Sequence, residues 1–244
     1  MNRIIKITGI IMMIFVLSCE ADDPMSFYGG QELVDMVEEA WADFRNGDYE
    51  ISLEKFNLAK DSADVQFDTD TLLIHSTYAD IHTGIGWCNL RLLNAGTAKE
   101  NFITSQDYEL YSFGTSVGLM TAYFELGNEI PMDTIQVNLA IEIGHWIFSS
   151  GMPEEFEYDQ SINVEDVKLL MAKCYYAKGY LSDNSAEGTD ALYWILQLDP
   201  EYGYLNAADP LTWNLYNYGV QDFDSFDEII LIILTVLERE VFSA

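Results

Sequence analysis

Residues 33 to 59 most constrain what this chain can fold into, because they hold two apolar stripes of helical period with one short break between them. Leu33, Met36, Val37, Ala40, Trp41 and Phe44 recur at the spacing that lines a single face of an α-helix. Asn46-Gly47 interrupts that stripe with residues that end helices. Tyr49, Ser52, Leu53, Phe56 and Ala59 then start a second one. Helices joined by so short a turn pack antiparallel, so the segment predicts a helical hairpin with the two stripes facing each other.

The pattern recurs. "YADIHTGIGWCNLRLLNAGTAKENF" carries Ile81, Ile85, Cys88 and Leu92, a turn at Asn94 to Gly96, and then Ala98 and Phe102. "GLMTAYFELGNEIPMDTIQVNLAIEIGHWIF" carries Leu119, Ala122, Tyr123 and Leu126, a turn lengthened by Glu129 to Met132, and a stripe of Ile135, Leu139, Ile143, Trp146 and Ile147. "VKLLMAKCYYAKGYL" places Val167, Leu170, Met171, Cys174 and Tyr175 on one face, and "TDALYWILQLDP" supplies Ala191, Trp194, Ile195 and Leu198.

Ala40, Phe44, Gly47, Asp48, Tyr49, Ser52, Phe56 and Ala59 resemble the small, aromatic and Gly-Asp-Tyr positions of a tetratricopeptide repeat. Gly86, Ala98 and Phe102 fill equivalent small and aromatic places in the second hairpin, while His82 departs from the expected large aromatic. The resemblance implies an all-α fold, an α-solenoid of about four TPR-like hairpins over residues 33 to 200 followed by a C-terminal helix. The acidic, turn-rich stretches "DSADVQFDTDT", "MPEEFEYDQSINVED" and "LSDNSAEGTD" are expected to be loops.

The N-terminus has its own pattern. Arg3 and Lys6 precede an apolar run from Ile7 to Leu17 that is shorter than the roughly 20 residues of a membrane-spanning helix, so it reads as an export signal. Val16-Leu17-Ser18-Cys19 resembles the lipobox of bacterial lipoproteins, which implies a signal peptide over residues 1 to 18 and a lipid on Cys19. Glu20 after that cysteine implies sorting to the outer membrane, and "CEADD" resembles the acidic tag of surface-displayed lipoproteins. Residues 19 to 30 then form a flexible tether, and 31 to 244 the helical domain. The expected location is the outer membrane, on its periplasmic or its external side.

Charge excludes some partners. The formal net charge is −30, and the basic residues beyond the signal are scattered between Arg45 and Arg239. Nucleic acid and anionic lipid headgroups need clustered Lys and Arg, so neither is expected. Cys88 and Cys174 sit inside apolar helical patterns and read as buried thiols, with a disulfide as the alternative.

The signals for chemistry are thin. Gly114-Thr115-Ser116-Val117-Gly118 matches the spacing of a nucleophile elbow, but helix pairs leave no room for the parallel sheet beneath it, and Gly118 reads as a helix-start or close-packing residue. His75, His82 and His145 are too dispersed for a metal site. Asp64, Asp68 and Asp70, or Glu154, Glu155, Glu157 and Asp159, lack the ordered spacing of a calcium loop and read as solvated acids. No phosphate loop or dinucleotide fingerprint occurs, so neither a cofactor nor catalysis is expected.

The resemblance therefore implies a membrane-anchored scaffold for protein–protein interaction with an envelope protein. The alternative is glycan binding by Trp213, Tyr216 and Tyr218, with Tyr202 and Tyr204 nearby. In "SFDEIILIILTVLEREV" the stripe Phe226, Ile229, Ile230, Ile233, Leu234 and Leu237 leaves Leu231 and Ile232 on another face, which implies a second covering surface: the chain's own aromatic segment 201 to 224, or else a partner or a second copy.

Overall fold

The computed structural model describes residues 25–66, 72–108, 112–151, 153–181 and 188–198, together with Leu231, Leu234 and Thr235; the side chains of 25–30, 66 and 72–74 are outside the description. The described chain is predominantly helical. Its elements are α1 (Met25–Arg45), α2 (Tyr49–Gln66), α3 (Leu72–Arg91), α4 (Ala95–Tyr108), α5 (Phe113–Gly127), α6 (Thr134–Ser150), β1 (Glu155–Phe156), β2 (Asp159–Asn163), α7 (Val164–Ala177) and α8 (Ala191–Leu198).

The first two helices form as their stripes require. Gly47, at φ 85°, stops α1 in a conformation that L side chains rarely adopt. Across the pair, Ser52 Oγ donates to the Ala40 carbonyl at 2.8 Å, and Leu33, Val37, Ala40, Trp41, Phe44, Phe56 and Ala59 are buried. Lys55 bridges back to Asp43 at 2.7 Å on the outside.

Helices pack in sequence order. α1 pairs with α2, α3 with α4, α5 with α6 and α7 with α8, and the second helix of each pair also packs on the first helix of the next. First helices touch in series as well, α1 on α3, α3 on α5 and α5 on α7. Two glycines permit the close approach: a Cβ on Gly84 would enter the Phe56 ring, and one on Gly118 the Phe102 ring. Of the two roles its sequence context suggested, Gly118 is thus a packing residue and not a helix start, since α5 begins at Phe113.

Local caps fix where the later helices begin. Ser112 Oγ accepts from Thr115 N at 3.1 Å ahead of α5, and Asp133 Oδ1 accepts from Ile135 N at 2.9 Å ahead of α6. α7 starts in a capping box: Asn163 Oδ1 accepts from Glu165 N at 2.9 Å, and Asp166 Oδ2 accepts from Asn163 N at 2.7 Å.

Four expectations need correction. α1 begins at Met25, so residues 25–30, placed in the tether, have helical backbone. The turn after α3 ends before Ala95: Leu93 takes the left-handed conformation at φ 62°, and Gly96 lies inside α4. The buried face of α6 is Val137, Ala140, Ile141, Gly144 and Ile147, whereas Ile135 is 68 % exposed and Leu139, Ile143 and Trp146 are only partly buried. "MPEEFEYDQSINVED" is not a plain loop. Its residues Glu155–Phe156 and Asp159–Asn163 pair as an antiparallel hairpin, and Asp61–Gln66 of "DSADVQFDTDT" continue α2.

That hairpin is anchored by two aromatics. Phe156 is buried against Trp41 of α1 and Trp87 of α3, with ring centroids 5.5 and 5.8 Å away, and a Cβ on Gly114 of α5 would meet its ring. Tyr158 stacks on Trp41 at 4.5 Å and donates its hydroxyl to Asp80 Oδ2 at 2.7 Å. The hairpin thus crosses the face made by the first helices of the first three pairs.

Candidate functional site

On the same face, beyond the hairpin, lies a cavity of about 570 Å³. α3 contributes Trp87, Leu90 and Arg91, α5 contributes Val117, Thr121 and Glu125, β2 contributes Ile162, and α7 contributes Asp166, Leu169, Leu170 and Lys173. Period fixes the α7 set. Positions 166, 169, 170 and 173 fall on one side of a helix whose other buried residues face α6 and α8.

The walls mix apolar side chains with polar ones, Asn128 and Glu129 after α5 among them. Trp87 donates its indole N–H to the Gly114 carbonyl at 3.1 Å and meets Phe102 edge-on at 5.8 Å, so its orientation is set from two sides. Lys173 Nζ lies 5.4 Å from the centroid of the Phe124 ring, and the Arg91 guanidinium carbon 6.0 Å from that of Tyr49.

Asp166 is the principal polar group. It is 5 % exposed, and while Oδ2 serves the helix cap, Oδ1 has no hydrogen-bond partner. Burial pushes its carboxyl up to about 6; the Asn163 N–H and the Arg91 charge oppose that rise, and Glu165 and Asp159 add to it. Arg91 Nε is likewise buried without a partner. Both unpartnered atoms are shut off from accessible space, so Asp166 and Arg91 line the cavity through their other atoms. At its mouth stands Leu93, 91 % exposed.

Other residues singled out from sequence lie elsewhere. Ser116 is buried within α5 and donates Oγ to the Ser112 carbonyl at 2.8 Å. A chain of hydroxyls runs beside it, Thr83 Oγ1 lying 2.8 Å from Ser105 Oγ and 2.7 Å from Thr115 Oγ1, and ties α3, α4 and α5 together. His82 Nδ1 is 2.8 Å from Asn101 Oδ1 and His145 Nε2 is 2.9 Å from the Tyr175 hydroxyl; burial lowers the pKa of both imidazoles. Cys88 and Cys174 are buried free thiols, Cys88 pushed up to about 11 by burial. Asp64 pairs with Lys60 and accepts from the Tyr78 hydroxyl at 2.7 Å. Among the described residues no group of acids, histidines or cysteines could hold a metal ion, and no helix is long and apolar enough to cross a membrane.

Leu231 is helical and 49 % exposed, and Leu234 is buried, in keeping with the side of the stripe each was assigned. Cys19, Trp213, Tyr216, Tyr218 and the side chain of Ile232 lie outside the described residues. Sequence reasoning missed the cavity. The capping spacing of Asn163 and Asp166 could be read, but the burial of that acid depends on contacts across several elements.

The fold at this level is that of a mainly helical protein, and comparison with protein-family models, curated proteins and solved structures finds no match to the chain.

Proposed function

We propose that the chain is a tetratricopeptide-like α-solenoid, tethered to the bacterial outer membrane by a lipid on Cys19, that serves as a scaffold for an envelope protein partner. The observation that carries this reading is the order of helix contacts: each pair packs on the next, and the first helices meet in series, the arrangement in which repeat proteins present a continuous binding face. Phe56 against Gly84 and Phe102 against Gly118 support it, since large side chains from one pair fill glycine recesses on the next. Part of that face is covered by Phe156 and Tyr158, so the partner meets the surface that the hairpin leaves open.

Cross-linking in intact cells, recovery of the lipidated protein from membranes and mass spectrometry of the linked species should yield one envelope protein repeatedly, with cross-links mapping to the first helices. Cys19→Ala should move the chain from the membrane pellet to the soluble fraction and lose the partner. Unchanged membrane partitioning would count against the anchor, and cross-links confined to α2, α4 and α6 would count against the face.

A further inference from the structure

The side of α2 turned away from its neighbours carries an ordered apolar ridge. α2 packs on α1 and α3 and buries Ser52, Phe56, Ala59 and Ala63. Nearly half a turn round the helix, Ile51, Leu58 and Val65 are 52, 54 and 84 % exposed. Their seven-residue spacing keeps them on one side, drifting by only about 20° per step, along about 21 Å of the helix axis. Exposed aliphatics scattered singly are ordinary on a protein surface. Three in heptad register along one helix form a seam of the kind that packs a second helix.

The charges within the seam narrow what can lie on it. Between the aliphatics, at the other seam positions of the same heptad, stand Glu54 and Asp61, both exposed. Among the described residues neither has an ion-pair partner. The nearby cations are already engaged: Lys55 Nζ lies 2.7 Å from Asp43 and 3.7 Å from Glu39 of α1, and Lys60 pairs with Asp64. The seam therefore alternates aliphatic positions with uncompensated acids. A second copy would set Glu54 and Asp61 against the same acids, and an anionic lipid surface is repelled by them too. Residues 199 to 244 hold a single base, Arg239, among many acids, so the rest of the chain does not complement the seam either.

We propose that the exposed seam of α2 docks a basic amphipathic helix of a partner protein, whose aliphatic side chains pack on Ile51, Leu58 and Val65 and whose Lys or Arg side chains pair with Glu54 and Asp61. The aliphatic contacts supply the affinity, and the charges select the partner and set its register. This surface lies on the second helix of a pair rather than on the first-helix face, so it goes beyond the scaffold reading and stands without it.

The test uses the full chain with phosphatidylcholine nanodiscs and labelled methyl groups, titrated with three synthetic helical peptides as long as α2. Each carries leucines in one heptad seam; the flanking residues are lysine in the first, glutamine in the second and glutamate in the third. The lysine peptide should shift the methyl resonances of Ile51, Leu58 and Val65 and bind about tenfold more tightly than the glutamine peptide, and the glutamate peptide should not bind. Ile51→Gln with Leu58→Gln should weaken the lysine peptide about tenfold, as should Glu54→Gln with Asp61→Asn. Glu100→Gln with Asp107→Asn removes the same charge from the exposed side of α4 and should leave binding unchanged. All six positions are exposed, so these variants keep the core intact, as circular dichroism will check. The proposal is overturned if the lysine peptide leaves those methyls unshifted, if the glutamine or glutamate peptide binds as tightly, or if the α4 variant weakens binding as much as the α2 variants do. Contacts of the same methyls to lipid or to residues 199 to 244 in the unliganded protein would overturn it as well. Cross-linking to the first helices is read separately, so failure of the scaffold and failure of this surface are distinguishable.

Discussion

A single carboxylate shows how burial becomes a measurable property. The pKa of Asp166 is about 6 in the folded chain against 3.8 in the unfolded one, so the folded state holds the proton more tightly. For an acid raised in this way the stability contribution is fully present below the unfolded value and is lost as pH rises through the folded value. Asp166→Asn cannot ionise. Its unfolding free energy relative to wild type should therefore grow between about pH 3.5 and about pH 7.5, by at most on the order of 3 kcal/mol. Paired urea melts at the two pH values measure this difference, in which the other titrating groups cancel; a difference that does not change with pH would mean that the carboxyl is not raised. Tyr158 is raised too, by burial and by the adjacent Asp80, and its hydroxyl remains a donor throughout that range.

At the scale of elements, the hairpin departs most from what its residues suggest. Truncating Phe156 to Ala should destabilise the fold by about 3 to 5 kcal/mol, because the ring is enclosed by Trp41, Trp87 and α5 and nothing else fills its place. A chemical melt measures the cost, and an unchanged midpoint would mean that the hairpin is peripheral. Glu154, Glu155, Glu157 and Asp159 hide it in sequence, where they read as a solvated loop. Two aromatics two residues apart are too little for a periodic signal, and strands of two and five residues owe their form to the helices beneath. The α1–α2 pair was legible because every core position obeys the helical period and Gly47 marks the break. α6 was misread for a different reason. Hydropathy favours Ile135 and Leu139, but packing favours Ala140 and Gly144, whose small size lets α7 come close enough for Met171 to occupy the gap. Of the candidate site, only the Asn163–Asp166 cap had a sequence signature. Arg91 and Leu93 gave none, since their roles come from the neighbours that the fold brings to them.

For the whole molecule the dominant fact is charge. With 41 acidic residues against 11 basic ones, the compact state gathers repulsion that the expanded chain relieves. The described ion pairs, such as Lys55 with Asp43 and Lys168 with Glu165, offset little of it at the surface. Raising sodium chloride from about 0.05 M to about 0.5 M shortens the screening length several-fold and should raise the melting temperature by several degrees. A melting temperature that falls or stays flat in calorimetry would show that local pairing outweighs the net field.

The reach of Tyr158 bears also on how the chain finds its shape. Its carbonyl accepts from Arg45, 113 residues earlier, and its hydroxyl meets Asp80, 78 residues earlier. A stack in which helices touch only their neighbours can nucleate anywhere and grow outward, with ends that fray independently. The hairpin changes that order. Docking it closes a loop spanning most of the described chain, an entropic debt incurred before any contact rewards it. That cost favours assembly of the helix pairs ahead of the hairpin, which once docked acts as a clasp coupling the first pair to the third.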